Sequence, residues 1–158
     1  MASSYDVPYM QRTRDYYRAQ GYKKDYRWAH NQSAPFQGLG KAINESTLAV
    51  ITTAMPDTQE GRAERRLYST SSDPVPKSMY TEELSWDKVA THTRDVSSFL
   101  PLRQLGTLVE QGKLGQLASR FHSVPTTYSQ RSTMEKDAPE LLQRCYDDGA
   151  DIALLVPL

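Results

Sequence analysis

The stretch Asp137–Leu158, DAPELLQRCYDDGADIALLVPL, decides how this chain is read. Asp137 and Glu140 stand at capping-box spacing, with Asp where Ser or Thr is usual. Pro139 falls where a first helical turn tolerates it. Leu141, Leu142 and Cys145 then share one helical face, and Gly149 is a helix stop. Ile152–Val156 is a five-residue apolar strand. A helix joined by a short link to such a strand is one αβ step of a parallel sheet.

A second strand agrees with it. STLAVITTA, residues 46–54, is short, β-branched and apolar on both faces, as a strand buried on both sides must be. Residues 100–111 carry Leu102, Leu105, Leu108 and Val109 at helical spacing, with Gly112 as the stop. An extended segment is expected near 119–124 and a short edge strand at Leu67–Ser71. SSDPVPK, residues 71–77, reads as a turn, and 126–133 as a polar loop. The expected fold is α/β: a parallel sheet with flanking helices, incomplete at its C-terminal end. Residues 1–45 form an arm and loop, and residues 46–158 the α/β domain.

The N-terminal arm differs in composition. Tyr5, Tyr9, Tyr16, Tyr17, Tyr22 and Tyr26 are six of the ten tyrosines, and Arg12, Arg14, Arg18, Lys23, Lys24 and Arg27 are interleaved with them. Such alternation can stack single-stranded nucleic acid. However, Asp6, Asp15 and Asp25 dilute the charge, and Tyr9, Thr13, Tyr16 and Tyr17 share a helical face. The arm is therefore read as a helix over residues 9–20, packing its Tyr face on the body and stopped by Gly21.

Composition excludes several classes. Nineteen basic and nineteen acidic residues cancel, so no overall charge points to nucleic acid or a membrane surface. Mean hydropathy is −0.66. No apolar run reaches the ~18 residues of a membrane span, and the first residues lack the charged start and apolar block of a secretory signal. One cysteine precludes an internal disulfide. The expected setting is cytoplasmic.

Chemistry-bearing motifs are few: the chain has no GxGxxG, P-loop, HExxH or GxSxG. His30, His92 and His122 lack metal-ligand spacing, so no metal is expected. His92 and Asp95 are near enough for a base and its orienting acid, or for local capping of a loop. Cys145, on an inward helical face beside Asp147 and Asp148, reads as a small buried hydrophobe. In a parallel sheet, ligands bind beyond the carboxyl ends of the strands, here residues 52–54 and 156–158.

The runs WDKVATHTRD (86–95), FLPLRQL (99–105), HSVPTTYSQR (122–131) and DAPELLQRC (137–145), in that order, resemble the selenoprotein B family of glycine, betaine, sarcosine and D-proline reductases. The similarity is greatest to its proteobacterial-type, reductase-like branch, which YRWAH (26–30) and LAVITTA (48–54) also resemble. The resemblance implies reductive cleavage of a small C–N-bonded substrate by a selenol or thiol, with partner reductase subunits or a thiol protein. Family members carry selenocysteine or cysteine directly after a strand ending in a Val-Pro-like sequence. The resemblance thus places that nucleophile after Leu158, with no cofactor in the chain itself. It marks His92 and His122 as candidates for proton transfer, and His30, Thr52 and Thr53 as substrate-binding candidates. The alternative is a non-catalytic subunit or interaction domain that uses the Tyr-rich arm. Because the selenocysteine codon doubles as a stop codon, the nucleotides after codon 158 check the first reading: an open frame with a nearby Cys codon is expected.

Overall fold

The computed structural model describes residues 8–25, 27–34, 37–84, 88–127 and 129–158. Tyr5, Asp6, Tyr26, Pro35 and Trp86 lie outside them. The chain divides into two compact units, Met1–Phe36 and Gln37–Leu158.

In the first unit, α1 spans Tyr9–Ala19. Its Tyr17 ring meets Tyr16 and Tyr22 edge-on, with centroids 5.6 and 5.5 Å apart. Arg18 pairs with Asp25, and the Arg14 guanidinium lies 5.2 Å from the centre of the Trp28 ring. None of the residues of α1 is fully buried, and Tyr9 and Tyr16 are exposed.

The second unit is a mixed sheet between helices. Its strands are β1 Thr47–Thr52, β2 Met55–Pro56, β3 Tyr68–Ser71, β4 Met79–Tyr80, β5 Gln116–Leu117, β6 Arg120–Ser123 and β7 Ile152–Val156. Its helices are α2 Gln59–Ala63, α3 Leu102–Glu110, α4 Gln130–Ser132 and α5 Ala138–Asp147, with a π-helical segment, Thr133–Asp137, joining the last two. β1 lies at the centre. β7 runs parallel to it on one side, in register from Leu48↔Ile152 to Thr52↔Val156. β5 and β6 run parallel to it on the other, and β3 is antiparallel to β6 at the far edge. β2 and β4 form a separate antiparallel pair.

β1 is buried at all six positions. Leu48 and Val50 join Phe121, Phe99, Leu100 and Leu102 on the α3 side. Ala49 and Ile51 join Ala118 and Cys145 on the α5 side. The partner strand is interrupted: Leu48 pairs with Leu117, but Ile51 pairs with His122. Three steps along β1 thus match five along its partner. The two extra residues preserve the alternation of faces, whereas a single one would reverse every later side chain. Phe121 therefore stays in the α3-side core, and His122 comes up opposite Ile51 on the α5 side.

The start of the final helix differs from expectation. Asp137 is not a cap: its φ of −67° and ψ of −45° are helical, and its side chain makes no capping bond. Helical backbone begins earlier, where Ser129 Oγ accepts from the Ser132 N–H at 3.1 Å, so part of the expected loop at 126–133 is helix. Pro139 then stands inside the helical run. Its ring supplies no N–H and crowds the carbonyl four residues back, and the backbone widens into the π segment immediately before it. Leu141 and Cys145 face inward as expected, but Leu142 is exposed. β7 is also not buried on both faces. Ile152, Leu154 and Val156 pack on the α3-side core, while Leu155 remains 65% exposed.

The helix stops are as expected. Gly149 has φ +67°, a conformation costly for residues with a Cβ, and its N–H bonds to Tyr146 O while that of Ala150 bonds to Cys145 O. Gly21 and Gly112 end α1 and α3 with the same pattern. Gly115 serves a different purpose. A Cβ there would lie 2.6 Å from Ser46 O, where the chain passes the start of β1. Gly106, inside α3, has open space around it. Gly115→Ala is expected to lower stability by about 1–3 kcal/mol, and Gly106→Ala to raise it by about 0.5–1 kcal/mol. Urea denaturation of the two variants checks these opposite signs.

Candidate functional site

Because β1, β6 and β7 are parallel, their carboxyl ends reach one edge of the sheet together. Thr52 is in register with both Ser123 and Val156. The Val124 N–H extends the ladder to Thr52 O at 2.8 Å, and the Leu158 N–H donates to Thr53 Oγ1 at 2.9 Å. Thr53 thus holds the backbone that follows β7 against the end of β1.

A cavity of about 90 Å³ opens beside Thr53. Thr126, after β6, contributes to it together with Met55 and Leu84. The remaining wall is Arg65, Tyr80, Thr81 and Glu83. Arg65 forms a two-pronged ion pair with Glu83, donates to Gly61 O at 3.0 Å and lies 5.3 Å from the centre of the Tyr80 ring. The hydrogen bond from Arg65 holds the Glu83 carboxyl below its ordinary range, and Glu83 in turn raises Arg65. Thr81 Oγ1 lies 2.6 Å from Thr93 Oγ1. The cavity therefore offers hydroxyls, a neutralised ion pair and two apolar side chains. This set suits a small polar ligand.

A second polar cluster lies under α5. His122 is fully buried. Its Nδ1 is 2.9 Å from Ser69 Oγ, and Arg144 Nη1 donates to that same oxygen at 2.9 Å. With Ser69 accepting from Arg144, its own hydroxyl proton is free to point at Nδ1, which leaves the imidazole proton on Nε2. Nε2 lies 3.2 Å from Asp148 Oδ2, close enough for charge attraction but without the alignment of a hydrogen bond. Asp148 Oδ1 accepts from Arg120 Nε at 2.9 Å. Burial pushes His122 below its ordinary pKa. Asp148 opposes that shift, and Arg120 and Arg144 reinforce it.

Of the residues singled out from sequence, Thr53 lines the cavity. Thr52 is buried, and its hydroxyl accepts from the Ala54 N–H at 3.3 Å, so it shapes the strand end. His122 faces Ser69 and Asp148 and is not among the groups lining the cavity. His92 is exposed, and the Asp95 carboxylate accepts instead from the Ser97 N–H at 3.1 Å, capping the 3-10 turn Val96–Ser98. His30 is exposed in the first unit. Cys145 is buried, and burial followed by the Asp148 charge pushes its thiol up, against thiolate formation. Among the described residues, no group of three or more His, Cys, Asp or Glu is arranged to hold a metal. Sequence reasoning missed Arg65, Tyr80, Thr81 and Glu83. The Arg-rich run 62–66 reads as solvated surface, which fits Arg62 with Asp57 and Arg66 with Glu60. Arg65 alone turns to the cavity, and its selection depends on the Tyr80 ring and Glu83, 15 and 18 positions away. No family model, curated protein or solved structure matches the chain.

The neutral His122 sets a pH dependence. Its folded pKa lies below the unfolded value, so below about pH 6.5 the unfolded chain takes up a proton that the folded chain resists. Its contribution is complete above that pH and is lost as pH falls. Thermal unfolding followed from pH 7.5 to 5.5 is expected to show declining stability, with a shallower slope in His122→Gln. Asp148→Asn is expected to cost about 1–3 kcal/mol at neutral pH, through the poorer pairing of Arg120 and His122.

Proposed function

We propose that this chain is the N-terminal part of a selenol- or dithiol-dependent reductase resembling selenoprotein B, and that it cleaves a small C–N-bonded substrate reductively. The observation that carries the reading is the bond from the Leu158 N–H to Thr53 Oγ1, at the rim of the cavity. The resemblance implies a nucleophile directly after Leu158, and the bond supports the reading because parallel α/β sheets bind ligands beyond the carboxyl ends of their strands.

A selenol or thiol following Leu158 would supply a nucleophile and, with a partner thiol, the two electrons of the reduction. The residues of this chain have the supporting roles. Thr53 fixes the direction in which the backbone leaves β7. Thr81, Thr126 and Tyr80 present polar groups to a bound substrate. Arg65, already balanced by Glu83, adds local dipoles without a net charge, so the cavity does not select strongly for anions. Met55 and Leu84 limit water on the apolar side. His122, buried in β6 against Ser69 and Asp148, supports the sheet, and no proton transfer is assigned to it. A second reading, an interaction domain, draws on the exposed tyrosines of α1.

A dithiol-dependent assay of C–N cleavage, read as amine release from glycine, sarcosine and betaine and as ring opening of D-proline to an open-chain primary amine, separates the two. Activity is expected from a form extended past Leu158 and not from chain 1–158. Thr53→Val in the extended form is expected to reduce kcat by about tenfold, through loss of positioning. Inactivity of both forms with all four substrates, combined with tight binding of a protein partner, would favour the interaction domain.

A further inference from the structure

The cancelling charges of this chain conceal an imbalance. Over residues 9–30, six Lys and Arg face two Asp, a net charge of +4. Residues 37–158 hold thirteen Lys and Arg against sixteen Asp and Glu, a net charge of −3. Five of the six cations of residues 9–30 and one carboxylate line one open groove of the first unit: Met10, Arg14 and Arg18 of α1 face Lys23, Lys24, Asp25, Arg27 and Trp28.

Both acidic residues of this stretch are already engaged from within. Asp25 is held by Arg18 through two hydrogen bonds, which keeps its carboxyl below the ordinary range, and Asp15 lies 3.7 Å from Arg18. Lys23 and Lys24 are exposed. Met10, in the groove, is 42% exposed, and elsewhere in the same unit Tyr9 is 67%, Tyr16 61% and Tyr22 61% exposed. A helix of 11 residues that buries none of them gains nothing from a core of its own. Tyr, Trp, Met and Arg are the side chains that dominate protein interfaces, and cations set within such a patch select a negative partner.

We propose that the groove lined by Met10, Arg14, Lys23, Lys24 and Trp28 is a docking surface for an acidic segment of a partner protein, in which carboxylates meet Lys23, Lys24 and Arg14 while apolar side chains cover Met10 and Trp28. The inference rests on the first unit and is independent of the reductase reading. Nucleic acid is the less favoured ligand, because the aromatic rings pack edge-on against one another instead of forming an open stack.

The test uses the full chain and a fluorescein-labelled peptide of roughly 12 alternating Glu and Leu residues, with a Lys–Leu peptide and an oligothymidylate of similar length as comparisons. The Glu–Leu peptide is expected to bind with a micromolar Kd that rises about tenfold between low salt and ~0.3 M NaCl. Lys23→Glu combined with Lys24→Glu is expected to weaken binding by about tenfold or more, and Met10→Ala by about threefold. Thermal unfolding of the second unit should be unchanged in both variants. Four results would overturn the proposal: no binding, equal binding of the Lys–Leu peptide, tighter binding of the oligothymidylate, or indifference to the charge reversal. A dimer in solution that the charge reversal dissociates would assign the groove to a second copy and equally overturn it.

Discussion

The parallel ladder around β1 is the constraint on which the second unit depends. β1 is buried at every position, so all its backbone groups need partners within the protein. β7 supplies them along one edge, and β5 with β6 along the other. Its apolar side chains point both ways, and each large one is worth about 1.5–3 kcal/mol only if its own face is covered. That requirement brings α3 to one side and α5 to the other. The ladder is closed at its start by Asp151, whose carboxylate accepts from the Thr47 N–H at 2.8 Å and pairs with Lys41 at 2.7 Å. At its end Thr53 ties the backbone after β7 to that after β1.

Two polar features follow, one on a face of the sheet and one at its end. On the α5 side, the excess of two residues in the partner strand turns His122 inward, where a titratable ring is costly unless satisfied. Ser69 bonds to its Nδ1 and Asp148 lies 3.2 Å from its Nε2, while Arg144 and Arg120 hold Ser69 and Asp148 in turn, and together they join β3, β6 and the end of α5. The histidine most suggestive of chemistry is thus committed to architecture. The cavity at the strand ends is built by the loops: the segment after β1, Arg65 before β3, and the turn after β4.

Legibility in the sequence followed the range of the interactions. Gly21, Gly112 and Gly149 were readable because a left-handed stop is a local demand. β1 was readable because burial on both faces writes itself as an unbroken apolar run. Asp137 and Glu140 misled because capping-box spacing recurs inside helices. Only the backbone from Ser129 onward shows that the helix had already begun, with Pro139 absorbed by π-helical widening. Leu142 misled because helical spacing puts it within reach of the inward face, while the width of the sheet decides how much of that face is covered. Arg65 was hidden among neighbours of identical type, and its role comes from residues distant in the chain.

By itself, the sequence determined the α/β class, the strand buried on both faces and the places where helices stop. These depend on periodicity and on backbone conformations that act within a few residues. Tertiary structure alone decided which polar groups meet: Arg65 with Glu83 and Tyr80, His122 with Ser69 and Asp148, and Leu158 with Thr53. Such pairs join segments that are 15 to 105 positions apart, and no local pattern encodes them. They exist because strand register and helix packing bring their backbones together, and a buried polar atom then requires a partner from whatever segment lies beside it.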